Sequence, residues 1–197
     1  MIDKTFDSLE RAVADVHDGA TVMIGGFGNA GMPAQLIDAL IAQGARELTI
    51  VNNNAGNGDT GLAALLAARR VRKIICSFPR QSDSHHFDAL YRAGGFFTPT
   101  GYGTLLAEGK ETRLIDGRHY VLESPIHADF ALIKAFKGDR WGNLVYRKTA
   151  RNFGPIMAMA AKVAIAQVAE IVPLGELDPE NIVTPGIFVQ RVVKEAA

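Results

Sequence analysis

Residues 18–33 read DGATVMIGGFGNAGMP. The run Thr21-Val22-Met23-Ile24 is apolar and short, the composition of a strand buried on both faces of a parallel sheet. It passes straight into GGFGNAG, four glycines in seven residues. Pro33 then opens a helical pattern with Leu36, Ile37, Leu40 and Ile41 on one face, and Gly44 closes it. Strand, glycine loop and helix together make the first half of an α/β unit. The loop itself has two readings. It is a tight turn that lets helix pack on strand, or it is a place where a ligand meets bare backbone. Spacing alone leaves both open. The glycines are out of register with the dinucleotide fingerprint G-x-G-x-x-G, and the next strand ends without an acidic residue. No Gly-Lys-Ser/Thr follows, so the loop is not a P-loop.

Outward from this stretch the elements alternate. Residues 8–16 carry Leu9, Val13 and Val16 at helical spacing. Residues 48–51 form a strand, NNNAGNGD at 52–59 a loop, 61–68 a helix and 71–77 a third strand. Alternation of this kind predicts a parallel sheet covered by helices. The second half changes character. ETRLIDGRHYVLE, residues 111–123, reads as a hairpin turning at Asp116-Gly117. FALIKAF at 130–136 is a strand, and DRWGNLVYR at 139–147 is a turn into another. Residues 155–161 are helical, 161–168 are a strand, and a β-rich tail is expected to end in a short helix. The expected fold class is α/β: an open, mostly parallel sheet flanked by helices with antiparallel additions, in one domain spanning residues 1–197.

Lys plus Arg equals Asp plus Glu at 21 each, and no basic stripe is present, which argues against a nucleic-acid partner. The single cysteine, Cys76, excludes an intrachain disulfide and reads as a small core residue in a reducing compartment. No apolar run nears the roughly 20 residues of a membrane span, so a cytoplasmic location is expected. His17, His119 and His127 are scattered. His85 and His86 are neighbours that a helix would turn in different directions, so no metal is expected.

Asp18, Gly19, Val22, Met23, Ile24, Gly25, Gly26, Phe27, Gly31 and Pro33 fill the pattern D-G-x-x-V-M-I-G-G-F-x-x-x-G-x-P. The pattern resembles that of the α subunit of family I CoA-transferases. NNAG at 53–56, TGYGTLLAEGKE at 100–111, DFALIKA at 129–135 and ARNF at 150–153 resemble the same family. CSFPRQSDS at 76–84 is most similar to the 3-oxoadipate branch, with the succinyl-CoA:3-oxoacid branch as near neighbour. The resemblance implies that Gly25, Gly26, Phe27, Gly28, Asn29, Ala30 and Gly31 bind CoA. It also implies that Asn53 and Asn54 line the pocket; without it they are ordinary loop asparagines. Arg80 or Arg151 is the candidate to meet the far carboxylate of a dicarboxylic acyl group, since Arg binds carboxylates bidentately. Each is otherwise a solvated surface charge. Succinyl-CoA and a 3-oxo acid are the implied substrates, and no cofactor is permanently bound.

The family's catalytic glutamate belongs to a partner β subunit, and no comparable glutamate motif occurs here, so no catalytic residue is assigned to this chain. The family also continues past Tyr91-Arg92-Ala93-Gly94 with a strand, a Pro-Gln-Gly turn and a helix, its glutamine near the active site. Here Gly94 runs directly into Gly95-Phe96-Phe97. Loss of a strand and helix from inside a sheet is costly, which favours residues left out of the sequence over a true deletion. Two other functions stand beside the transferase: a nucleotide-binding oxidoreductase, and a non-catalytic scaffold that binds CoA or a partner.

Overall fold

Strand β2, Thr21–Ile24, lies near the middle of the principal sheet because Val22, Met23 and Ile24 are all buried. In the computed structural model, residues 2–78, 83–87, 89, 103, 105–115, 118–122 and 126–196 are described. Two units result, residues 1–88 with 127–197, and residues 89–126.

In the first unit β1 is Thr5–Phe6, β3 Leu48–Val51 and β4 Val71–Ile75. The long strands β7, Ala128–Asp139, and β9, Ala161–Val172, follow, with β8 at Leu144–Val145 and β10 at Arg191–Lys194. The order across the sheet is β1-β10-β9-β7-β2-β3-β4. Every pairing along that path is parallel, while β8 joins β7 antiparallel. The sheet is therefore open, mostly parallel and extended by an antiparallel strand, as its apolar runs predict. In the second unit β5, Thr112–Ile115, pairs antiparallel with β6, Arg118–Val121. These are the two arms of the expected hairpin; Asp116 and Gly117 lie outside the described residues.

Helices cover both faces. Helix α1 is Leu9–Val13, α2 Ala34–Gln43, α3 Leu62–Ala67 and α4 Gly154–Ala160. Ser8 caps α1, its hydroxyl accepting from the Arg11 N–H at 3.2 Å. Gly44 ends α2 in the left-handed conformation, φ +102°. On one face Ala164, Ala166 and Val168 of β9 join Met23, Ala131 and Ile133 in a core with Met157 and Ala158 of α4. On the other face, Gln167 turns toward α2. Pro33 is not the first helical residue but the one before it; the helix begins at Ala34. The tail ends on β10 rather than a helix among the described residues, preceded by single 3₁₀ turns at Pro179–Asn181 and Gly186–Phe188.

A buried polar chain locks α2 onto the sheet. Gln167 is 1% exposed. Its Oε1 accepts from the Leu36 N–H at 3.0 Å, one of the amides that helix geometry leaves unpaired. Its Nε2 donates to Glu195 Oε1 at 2.8 Å, and Lys134 forms an ion pair with the same oxygen. Gln35 exchanges two bonds with the backbone of Ala196. Burial pushes the Glu195 carboxyl up, but the bonds from Lys134 and Gln167 outweigh it and hold its pKa below the ordinary value of 4.5.

Among the described residues β4 is the terminal strand, and its Arg72 and Lys73 are exposed. Charge on an edge discourages further strand pairing. Gly94 and Gly95 themselves lie outside the described residues.

Gln167→Ala leaves the Leu36 amide without its buried acceptor, and a loss of about 1–3 kcal/mol in urea unfolding is expected. A change below about 0.5 kcal/mol would assign the cap no energetic role. Because the folded pKa of Glu195 is depressed, its stabilisation is present above the unfolded value of 4.5 and is lost as pH falls through the folded one. The stability gap between wild type and Glu195→Gln is expected to be widest near neutrality and to close below pH 4.5. A gap independent of pH would remove Glu195 from the network.

Candidate functional site

The sheet is wound in two directions. From β2 the chain crosses through α2 to β3 and then to β4 on one side. From β7 it passes through β8 and α4 to β9 on the other. The two halves meet where β2 pairs with β7, Met23 opposite Ala131 and Ile24 opposite Leu132. In open α/β sheets the crevice beyond the strand ends at such a reversal is where ligands bind. The glycine loop leaves β2 at this point.

Gly25 and Gly26 are buried, and Phe27 and Asn29 are exposed. The Gly25 N–H donates to Leu132 O at 2.9 Å, extending the ladder with β7 by one bond. Phe27 and Ala30 exchange backbone bonds of 3.0 and 3.2 Å around Gly28 and Asn29, so the loop is a two-residue hairpin turn. Gly28, at φ +58°, occupies the position where such a turn needs glycine. Gly31, at φ +73°, could not carry a Cβ without colliding with the carbonyl oxygen of Ala150. The loop's N–H groups are accordingly divided. Those of Gly25, Gly26, Phe27 and Ala30 are taken by protein acceptors. Those of Gly28, Asn29 and Gly31 have none among the described residues.

Asn152 holds the turn. Its Oδ1 accepts from the Gly26 N–H at 3.2 Å and from the Phe153 N–H at 2.7 Å. Its Nδ2 donates to Ala30 O at 2.9 Å and Thr149 O at 2.8 Å. One side chain therefore ties both legs of the hairpin to the segment between β8 and α4. Spacing suggests only a helix-capping residue at this position.

The three asparagines after β3 differ. Asn52, 4% exposed, donates through Nδ2 to Ile24 O and accepts from the Asn54 N–H at 2.8 Å, joining the ends of β2 and β3. Asn53 is half-buried and donates to Ser77 Oγ at 3.0 Å. Asn54 is fully buried and accepts from the Gly56 N–H at 2.7 Å, yet its Nδ2 has no partner among the described residues. Arg151 is exposed and forms no bond with the described residues, and it stands between Ala150 and Asn152, both of which touch the glycine loop. Arg80 lies outside the described residues. Glu195 and Glu170 are both committed to lysines, Lys134 and Lys137. Cys76 falls just past β4 and is half-buried; burial pushes its thiol pKa up, as suits an unreactive thiol. A surface hollow of about 390 Å³ lined by Thr5, Phe6, Asp7, Arg11 and Ile171 lies at β1, four strand positions from β2. It is separate from the site.

Gln167 and Asn52 were legible only as oddities: a lone amide in the largely apolar stretch AKVAIAQV, and the first asparagine after the strand LTIV.

The profile of the coenzyme A transferase family matches residues 6–95 and again 91–195. The chain belongs to that family. The two matches meet around Gly94-Gly95, where the resemblance places the missing segment. A subunit of 3-oxoadipate CoA-transferase from Pseudomonas putida is 67% identical over 217 positions, covering 98% of this chain and 94% of its own. Those 217 positions take in 98% of a 197-residue chain, so roughly two dozen residues of the relative have no counterpart in this CoA-transferase chain. A subunit of succinyl-CoA:3-ketoacid coenzyme A transferase from Helicobacter pylori is 43% identical, with 98% and 93% covered. Glutaconate coenzyme A-transferase from Acidaminococcus fermentans shares the fold at TM-score 0.77 and 22% identity, over 97% of this chain and 75% of that one. Among the described residues no helix is long and apolar enough to cross a membrane.

Gly31→Ala is expected to destabilise this CoA-transferase chain more than Gly28→Ala. Both carry the strain of positive φ, about 1 kcal/mol, but only the first drives a methyl into a carbonyl. Urea denaturation of both variants checks the order; equal losses would mean that the close approach to Ala150 is unimportant.

Proposed function

We propose that this chain is the α subunit of a heteromeric CoA-transferase that moves CoA from succinyl-CoA to a 3-oxo acid, with 3-oxoadipate as the preferred acceptor. The observation that carries the reading is the 67% identity, across nearly the whole chain, to a subunit of 3-oxoadipate CoA-transferase. In this reading the nucleophile is a glutamate of the partner β subunit. It attacks the thioester carbonyl, the anhydride so formed is opened by the CoA thiolate, and the glutamyl-CoA thioester passes CoA to the acceptor by the same steps reversed, a covalent route. Residues Gly25, Gly26, Phe27, Gly28, Asn29, Ala30 and Gly31 form the CoA-facing turn. The amides of Gly28, Asn29 and Gly31, which have no acceptors among the described residues, are the donors left for a ligand or an oxyanion.

Asn53 and Asn54 line the acyl pocket. The unpaired Nδ2 of Asn54 supports this: a buried donor without an acceptor costs about 1–3 kcal/mol, which a carboxylate entering from the partner would relieve. Arg80 or Arg151 receives the second carboxylate of the acceptor. Arg151 has structural support, since its guanidinium is unpaired among the described residues and its neighbours brace the glycine loop. The expected location is the cytoplasm.

Thioester exchange between succinyl-CoA and 3-oxoadipate, measured for the chain with and without a β subunit, tests the proposal. Activity only in the mixture is expected. Turnover by the purified chain alone would overturn the partner assignment, and no turnover in a stably formed complex would favour a binding scaffold. In the active complex, Arg80→Met or Arg151→Met is expected to reduce the kcat/KM preference for 3-oxoadipate over acetoacetate by about ten- to a hundredfold, the value of one charge-assisted bond. A wild-type preference for acetoacetate would overturn the acceptor.

A further inference from the structure

Adjacent histidines on a helix point about 100° apart, which argues against joint ligation. The structure brings His85 and His86 together nonetheless. Their ring centroids are 4.1 Å apart, with the planes inclined at 43°. Both Nε2 atoms reach the same oxygen, Asp59 Oδ1, at 3.1 and 2.9 Å. Asp59 comes from the loop after β3, and the histidines from a helical turn at 85–87, beyond β4.

This convergence has its own frame. The Gly58 N–H donates to Asp83 O at 2.7 Å, and the Asp83 N–H donates to Asn57 Oδ1 at 2.8 Å. The two segments are thus held together by bonds that involve neither histidine. Asp83 Oδ1 then sits 2.9 Å from His85 Nδ1. A carboxylate on Nδ1 can hold the ring proton there, so that Nε2 offers its lone pair once an ion replaces the direct contact with Asp59, the arrangement usual behind a metal-bound histidine.

We propose that Asp59, His85 and His86 form a binding site for a divalent transition-metal ion of the Zn²⁺ class. Their ligand atoms lie within 4.8 Å of one another. Metal–ligand bonds of about 2.0–2.1 Å separate tetrahedral ligands by roughly 3.3 Å, so little movement is needed to admit the ion. Two imidazole nitrogens and one carboxylate oxygen suit Zn²⁺, Co²⁺, Ni²⁺ or Cu²⁺; Mg²⁺ and Ca²⁺ favour oxygen sets. Half of the His85 side chain and 79% of that of Asp59 are exposed, so water completes the coordination sphere. The bound ion would clamp the loop that follows β3 to the segment that follows β4. The same contacts without a metal would be a set of His–Asp ion pairs, and that is the competing outcome.

The test uses the untagged full-length chain, stripped with a chelator and titrated with Co²⁺. One saturable equivalent with visible d–d absorption, displaced by Zn²⁺, is expected. Asp59→Asn, His85→Gln and His86→Gln should each weaken binding at least about tenfold, and the double histidine variant should abolish the band. Asp83→Asn should weaken binding by about ten- to a hundredfold while leaving the d–d spectrum in place. His127→Gln should change nothing. Zn²⁺ should raise the Tm of the wild type and not that of the double variant, with circular dichroism reporting that both are folded. Absence of saturable Co²⁺ binding by the wild type would overturn the proposal, as would binding unaltered in the double variant.

Discussion

The parallel pairing of β2 with β7 is the contact on which the rest of the molecule depends. It joins a half wound through α2, β3, α3 and β4 to a half wound through β8, α4, β9 and β10. A parallel pair needs a long crossover, so two strands that are neighbours in space but distant in sequence send their connections opposite ways. In open α/β sheets such a reversal leaves a crevice beyond the strand ends. The glycine loop leaves β2 at this reversal, and Asn152 is bonded to both of its legs.

A crevice of this kind is useful only if its walls are held still. Asn152 supplies four hydrogen bonds to that end, two of them to the legs of the glycine hairpin. Asn52 does the same between the ends of β2 and β3. The glycines therefore serve two ends at once. Gly28 and Gly31 are required by the turn and by close backbone approach, and the turn so made leaves three amide donors without acceptors among the described residues. A packing turn and a set of open donors are not alternatives here, because the tight turn is what leaves the amides of Gly28, Asn29 and Gly31 without acceptors among the described residues.

Much of the fold was legible from periodicity. Short runs at 21–24 and 48–51, apolar but for one threonine each, mark buried strands, and the amphipathic stretch after Pro33 marks its helix within a residue. The candidate site was legible in part, and chiefly through resemblance. The glycines and asparagines stand out by composition, but Asn152 and Gln167 act over separations of 126 and 131 residues. No local pattern encodes a bond of that span.

The sequence by itself determined the class of fold, the membership in the CoA-transferase family and the shortfall of roughly two dozen residues against a relative. Hydrophobic period and motif order are properties of the chain read along its length, and they survive without coordinates. Tertiary structure alone decided which amides of the glycine loop have no acceptor among the described residues, which asparagine braces and which is left there with an unpaired donor. It alone brought His85 and His86 onto Asp59, against the expectation from helical geometry. The physical reason is common to all of these: each is a convergence of groups from separate strands or loops, and the sheet order that makes them neighbours is not written in the spacing of any one segment.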